Sequence, residues 1–170
     1  MPAYDFSSFR SIADIGGGRG HFIKAILAAY PKMTGVLFDL PQVIAKLDSQ
    51  PDPRLKVVAG DFFKDEMPSC DAWLMMSVIH DWSDDESIAI LRNLRRYAKP
   101  ATKLLLAEGP LPEADGPSPN LFMDIMMMAY ATGRERKVSE YKELLTASGW
   151  KLERVVPTQG AAAILESTPV

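Results

Sequence analysis

The chain has 170 residues, long enough for one domain with a substantial core, and its 47% hydrophobic and 24% charged residues are an ordinary globular mix. A net charge of −3 gives no electrostatic pull toward nucleic acid or an anionic membrane, so neither is an expected partner. One cysteine (Cys70) and two histidines exclude a disulfide framework and a cysteine- or histidine-rich metal site; without a signal-peptide pattern or an apolar run of membrane-spanning length, the expected location is cytoplasmic.

Residues 11–15 read as a first strand. A helix follows with Phe22, Ala25, Ile26 and Ala29 on one face, ending at Tyr30-Pro31. Residues 34–39 form a short buried strand ending in an acid, Asp39, and Pro41 sits at the first position of a helix running to about Ser49. A third strand, 55–59, ends at Gly60-Asp61. The fourth, 71–79, is so continuously apolar that both its faces must be covered. Ser83-Asp-Asp-Glu86 is a capping-box pattern, and it opens a helix with Ile88, Leu91, Leu94 and Ala98 on its buried side. Residues 103–107 make a fifth strand ending at Glu108. The proline-rich stretch 110–119 reads as a surface loop and 120–131 as a methionine-rich helix. Ser139 caps a last helix carrying Tyr141, Leu144, Leu145 and Ser148 and stopped by Gly149. Residues 150–156 and 161–166, joined by Pro157-Thr-Gln-Gly160, form an antiparallel hairpin.

Strands alternating with helices predict an α/β fold: a mostly parallel, seven-stranded sheet with helices on both faces and a C-terminal antiparallel hairpin. Ligands of such sheets lie beyond the carboxyl ends of the strands, at the switch point in strand order. Gly16 to Gly20, Asp39, Asp61, His80 and Glu108 all fall just past a strand end.

Gly16-Gly17-Gly18-Arg19-Gly20 lets the backbone turn sharply and lie against a ligand, and the helix that follows favours an anionic group at its N-terminus. Asp39 is placed to accept hydrogen bonds from two ribose hydroxyls. Asp61-Phe62 offers a carboxylate for the amino edge of an adenine and a ring for its face. A tight turn explains many glycine loops, but the strand before, the helix after and the acid at the next strand end point to a nucleoside cofactor. The Gly-x-Gly-x-Gly spacing fits the G-x-G-x-x-G dinucleotide pattern poorly.

Asp14-Ile-Gly-Gly-Gly-Arg-Gly20, Phe38-Asp-Leu-Pro41, Gly60-Asp-Phe62, Ile79-His-Asp-Trp82 and Gly133-Arg-Glu-Arg136 occur in this order. Together they resemble the catalytic domain of the S-adenosylmethionine-dependent O-methyltransferases of the plant caffeate, bacterial polyketide and hydroxyindole type. The resemblance covers essentially the whole chain, and the His-Asp-Trp cluster is its specific part. It implies a Rossmann-like class I methyltransferase fold over residues 11–170, preceded by a junction segment, 1–10. It also implies S-adenosylmethionine as cofactor, leaving as S-adenosylhomocysteine, with no metal. Gly16, Gly18, Asp39, Leu40, Asp61, Phe62 and Ser77 would contact that cofactor. The acceptor would be a small aromatic molecule bearing a hydroxyl, a phenol above all, held by Asp81, Met126 and Tyr130. His80 would be the general base, bracketed by Glu108 and Glu135.

Methyl transfer asks a protein mainly to align a nucleophile with the sulfonium and to take up its proton. Imidazole titrates near neutrality and suits that work. A phenol of pKa about 10 against a histidine near 6.5 leaves roughly 3.5 units uphill, about 5 kcal/mol, so proton removal should accompany methyl transfer. A carboxylate on the imidazole would fix its tautomer and raise its basicity. Taken alone, Gly133-Arg-Glu-Arg-Lys137 is a solvated charge run, the methionines are core packing, Trp82 fits packing and cofactor contact equally, and His21, for which the sequence reveals no partner, reads as structural.

Members of this family are about twice this long, with an N-terminal helical dimerisation half that is absent from this sequence. Tyr4-Asp-Phe6-Ser-Ser-Phe9 resembles the junction before the catalytic domain. The chain is therefore expected to be an excised domain or a truncated protein, with the family's homodimer in doubt. Met76 stands where plant members often carry a lysine. Two other readings compete: a cofactor-binding domain without activity, and a nicotinamide-dependent oxidoreductase.

Overall fold

The structure, a computed structural model, describes residues 4–47, 52–114 and 133–170. The methionine-rich helix expected over 120–131, with Met126 and Tyr130, lies outside them, as does Ser49.

The five apolar runs of the first two-thirds of the chain become β1 (Ser11–Ile15), β2 (Thr34–Asp39), β3 (Leu55–Ala59), β4 (Ala72–Met76) and β5 (Lys103–Glu108), all paired in parallel. β6 (Trp150–Pro157) and β7 (Ala163–Pro169) form the hairpin, and β7 inserts antiparallel between β5 and β6. The strand order is β3-β2-β1-β4-β5-β7-β6. The chain works outward from β1 to β3, then returns to β4 on the other side of β1, so the switch point lies between β1 and β4.

Period-two alternation sends successive residues of the central strands into two cores. Trp73 and Met75 of β4 join Leu104 and Leu106 of β5 on one face, with Ile90, Leu91, Leu94, Tyr141, Leu145 and Trp150. Leu74 and Leu105 join Ile12, Leu37, Ile23, Ile26 and Leu27 on the other. Tyr4 and Phe6 are buried in this second core, and the Tyr4 hydroxyl donates to Glu166 at 2.8 Å.

Helix α1 (His21–Ala29) buries Ile23, Ile26 and Leu27, so of the expected face only Ile26 is buried. Phe22, Ala25 and Ala29 instead line an open apolar groove of about 350 Å³ with Tyr4, Phe6 and Met76. Helix α2 (Pro41–Ile44) is one turn long, well short of Ser49. β4 stops at Met76 because Ser77 adopts a left-handed backbone, φ 52°, and 79–81 coil into a 3-10 turn. Val78 and Ile79 are buried, as their hydropathy requires, but not as strand. Helix α3 (Asp84–Tyr97) opens on the predicted capping box and buries Ile90, Leu91 and Leu94, with Ile88 and Ala98 only partly covered. Helix α4 (Val138–Ala147) begins before Ser139. Glu140 accepts the Lys137 N–H at 2.7 Å, while Ser139 gives both its N–H and its hydroxyl to Glu113.

Ser83→Ala should cost α3 about 1 kcal/mol, a typical capping loss. Urea unfolding should show a lower midpoint with an unchanged slope; an unchanged midpoint would mean that the Ser83 hydroxyl adds nothing to α3.

Candidate active site

At the switch point the glycine loop leaves β1. Gly16, Gly18 and Gly20 have positive φ, 71°, 57° and 71°. The tightest position is Gly17, where a Cβ would come 2.5 Å from both Asp14 Cγ and Leu37 Cδ1. Over Gly18 the space is open: an added Cβ would meet nothing within 4 Å. Asp39 braces the loop, accepting the Gly18 N–H and the Leu40 N–H at 2.7 Å each.

The loop walls a cavity of about 250 Å³ with Asp14, His21, Phe22, Met76 and Ser77. It meets the apolar groove at Phe22 and Met76, which line both. The cavity, not the larger groove, holds the polar groups and the glycine cradle. Of the sequence-predicted cofactor residues it gathers Gly16, Gly18 and Ser77. Asp39 and Leu40 are not among the cavity's wall residues, though Asp39 holds the loop through the Gly18 N–H. Asp61 is engaged locally, accepting the Phe63 N–H at 2.9 Å and pairing with Lys64 at 3.5 Å. Phe62 reaches toward Gly16 and meets Trp82 edge-on at 5.9 Å, while Phe63 meets the same indole at 4.8 Å, so Trp82 packs against both rings.

Asp14 has a place that its position inside β1 does not announce. It is 1% exposed; its carboxylate accepts the Ile23 N–H, and Oδ2 has no hydrogen-bond partner among the described residues. Burial pushes its pKa up to about 7, the Ile23 N–H works against that rise, and the charge of Asp39 adds to it. His21 is exposed at the cavity rim.

The second half of the site is the 3-10 turn after β4. Glu108, at the end of β5, is buried and takes the N–H groups of Val78 and Ile79 on Oε1, at 3.2 and 2.8 Å. This fixes the turn that presents His80. Nδ1 of His80 lies 2.9 Å from Glu135 Oε1 and 3.7 Å from Glu108 Oε2, and Nε2 lies 3.5 Å from Asp81 Oδ1. The three acids named with His80 from sequence thus surround its ring. Burial pulls the His80 pKa down, but the Glu135 contact and the charges of Glu108, Glu135 and Asp81 outweigh it, so the value is raised. The Glu108 pKa is also raised, because burial outweighs the help of His80 and the two N–H donors. Asp81 is raised by burial as well, against the pull of His80. A carboxylate only accepts, so Nδ1 carries the hydrogen and the lone pair is left on Nε2.

Sequence reasoning missed Asp14, and it missed Arg136, the fully buried neighbour of Glu135. Neither carries a signal that can be read without the fold.

A seven-stranded sheet of this order, with a glycine-loop cavity at the switch point, is the class I methyltransferase architecture. Residues 1–151 match the O-methyltransferase domain family, and the chain belongs to it. It is 39% identical over its whole length to the phenazine O-methyltransferase of Lysobacter antibioticus, covering 51% of that protein. Among solved structures it is similar to a calicheamicin-biosynthesis methyltransferase in its S-adenosylhomocysteine-bound form, with TM-score 0.92 and 37% identity. That match covers 99% of this chain and 51% of the other. It is similar too to a neocarzinostatin-biosynthesis O-methyltransferase in complex with S-adenosylhomocysteine and 1,4-dihydroxy-2-naphthoic acid, with TM-score 0.87 and 28% identity over 99% and 52% of the two chains. The chain spans about half the length of the relatives it matches.

Asp14 gives a test of sign. An acid whose pKa is raised on folding, from 3.8 to about 7, stabilises the fold below pH 3.8 relative to higher pH and loses that contribution as pH rises through 7. Asp14→Asn, which keeps the shape without the charge, should raise the melting temperature at pH 8 and leave it nearly unchanged at pH 4. At about 1.36 kcal/mol per pKa unit, the gain at pH 8 has an upper bound of about 4 kcal/mol. An equal effect at both pH values would contradict the buried, ionising carboxylate.

Proposed function

We propose that the chain is the methyl-transferring domain of an O-methyltransferase that moves the methyl of S-adenosylmethionine to a phenolic hydroxyl of a small aromatic molecule, with His80 as general base. The observation that carries this reading is the His80 ring, whose Nδ1 lies 2.9 Å from Glu135 while Nε2 lies 3.5 Å from Asp81. The turn presenting it begins two residues after Ser77, a wall of the glycine-loop cavity. The S-adenosylhomocysteine of the two structural relatives and the dihydroxynaphthoic acid of one support the cofactor and the acceptor class.

Bound, the cofactor supplies a methyl on a positively charged sulfur, already a strong electrophile. The cavity suits such a ligand: Gly18 leaves open space for a close approach of the cofactor. Asp39 keeps the loop in the shape that makes this cradle. His80 Nε2 takes the hydroxyl proton as the oxygen becomes nucleophilic, and Glu135 stabilises the imidazolium that forms. Because the surrounding carboxylates raise the His80 pKa, the roughly 5 kcal/mol gap between a phenol and an ordinary histidine narrows. Asp81, next to Nε2, can accept a hydrogen bond from the acceptor.

His80→Gln should lower kcat by about 10²- to 10⁴-fold, the usual worth of a positioned general base, with the calorimetric Kd for S-adenosylhomocysteine changed less than about threefold. Retained turnover would overturn the base assignment. Cofactor binding with no methyl transfer to any phenol by the wild type would leave a cofactor-binding domain. Activity needs neutral His80, so the acidic limb of the kcat profile should lie above 6.5. Glu135→Gln should move that limb down in pH, and an unmoved limb would mean that Glu135 does not tune His80.

A further inference from the structure

Beside Glu135 lies a guanidinium with no exposed surface. Arg136 gives Nε and Nη2 to Asp84 Oδ1 at 2.9 and 2.8 Å, Nη1 to the carbonyl of Ile79 at 3.1 Å, and Nη2 to the carbonyl of Trp82 at 2.7 Å. Nη1 also reaches the Arg134 carbonyl at 3.4 Å. Ile79 and Trp82 flank His80-Asp81, so the acceptor side of the His80 turn rests on Arg136, as its donor side rests on Glu108. Gly133 lies directly on the same turn: a Cβ there would fall 1.9 Å from the His80 carbonyl oxygen. The Leu111 N–H donates to the Arg136 carbonyl at 2.9 Å and ties this segment to the chain beyond β5.

We propose that Arg136 is a positioning residue for His80: it locks the 79–82 turn to the segment that carries Glu135, and so sets where Nε2 points. The proposal deepens the functional reading above and rests on it. Geometry supplies the reason. Glu135 grips the ring, Arg136 grips the backbone on either side of that ring, and the two residues are adjacent in sequence. The base and its carboxylate therefore move as one body. Lysine cannot replace the guanidinium at this position, because one ammonium cannot satisfy a carboxylate and two divergent carbonyls in the same planar arrangement. Asp84, whose side chain is half exposed, neutralises the buried cation from outside the reactive cluster. Its own pKa is lowered, since the contacts to Arg136 and Arg134 outweigh burial.

The test is the His80 imidazole itself, followed by nuclear magnetic resonance during a pH titration of the whole chain. With two histidines, His21→Gln leaves one ring to observe. Wild type should titrate above the ordinary histidine value and show one tautomer with hydrogen on Nδ1. In Arg136→Lys the pKa should fall by 0.5 unit or more and the tautomers should mix, kcat on a phenol should fall at least tenfold, and the Kd for S-adenosylhomocysteine should stay within threefold. A folded Arg136→Lys with unchanged His80 pKa and tautomer would overturn the proposal and leave Arg136 a purely structural residue. Should that variant not fold, Asp84→Asn decides by the same readout: a downward shift of smaller size supports the proposal, and an unmoved His80 overturns it. The titration needs no turnover. A wild type with the expected His80 titration but no methyl transfer would count against the methyltransferase reading, while the Arg136 comparison still decides the positioning role.

Discussion

The contact between Nδ1 of His80 and Glu135, 2.9 Å across 55 positions of sequence, ties the turn after β4 and the segment before α4 into one electrostatic unit. Glu108 and Glu135 are 1% and 2% exposed. A carboxylate taken out of water costs several kcal/mol unless protons or donors replace its hydration. In this site the replacements include the N–H groups of Val78 and Ile79 and the imidazole. These donors exist only if the chain leaves β4 at Met76 and coils at 79–81. The turn and the buried acids therefore require one another. Without the turn Glu108 loses both of its backbone donors, and without Glu108 two buried N–H groups lose their acceptor.

The glycine-loop cavity follows from a different constraint, steric rather than electrostatic. β1 and β4 are neighbours while the chain between them runs off to β2 and β3, which leaves the loop after β1 free to arch over the strand ends. Asp14, Gly17 and Leu37 fit together only because Gly17 has no side chain. The same crowding seals Asp14 from water and leaves Oδ2 without a donor. The site thus pairs a glycine-walled cavity with an imidazole on the turn that follows Ser77, one of the cavity's wall residues.

The parallel sheet, the hairpin and the cap at Ser83 are legible in sequence because each rests on a local rule: apolar runs between helices, a short connection, a hydroxyl three residues before a glutamate. The end of β4 is not. Val78 and Ile79 are as apolar as a strand, and hydropathy reports burial without reporting backbone shape; the positive φ of Ser77 has no sequence mark. The face of α1 is ambiguous because Phe22, Ala25 and Ala29 keep helical step as well as Ile23 and Leu27 do, and only the sheet decides which set is covered. Ser139 looks like a helix cap, yet Glu113, 26 residues earlier, holds it. His80, Glu108 and Glu135 are visible through motif resemblance, whereas Arg136 sits in a run of charges that reads as solvated. Its burial depends on carbonyls at 79 and 82 that sequence cannot aim.

The most direct measurement is a crystal structure of the chain with S-adenosylhomocysteine and a phenolic acceptor. The expected result has the homocysteine end in the cavity walled by Asp14 and Gly16–Gly18, and the phenol oxygen about 2.6–3.2 Å from Nε2 of His80, hydrogen-bond reach for a general base. A ternary complex with the phenol hydroxyl turned away from Nε2, or with the cofactor product outside the glycine-loop cavity, would contradict it.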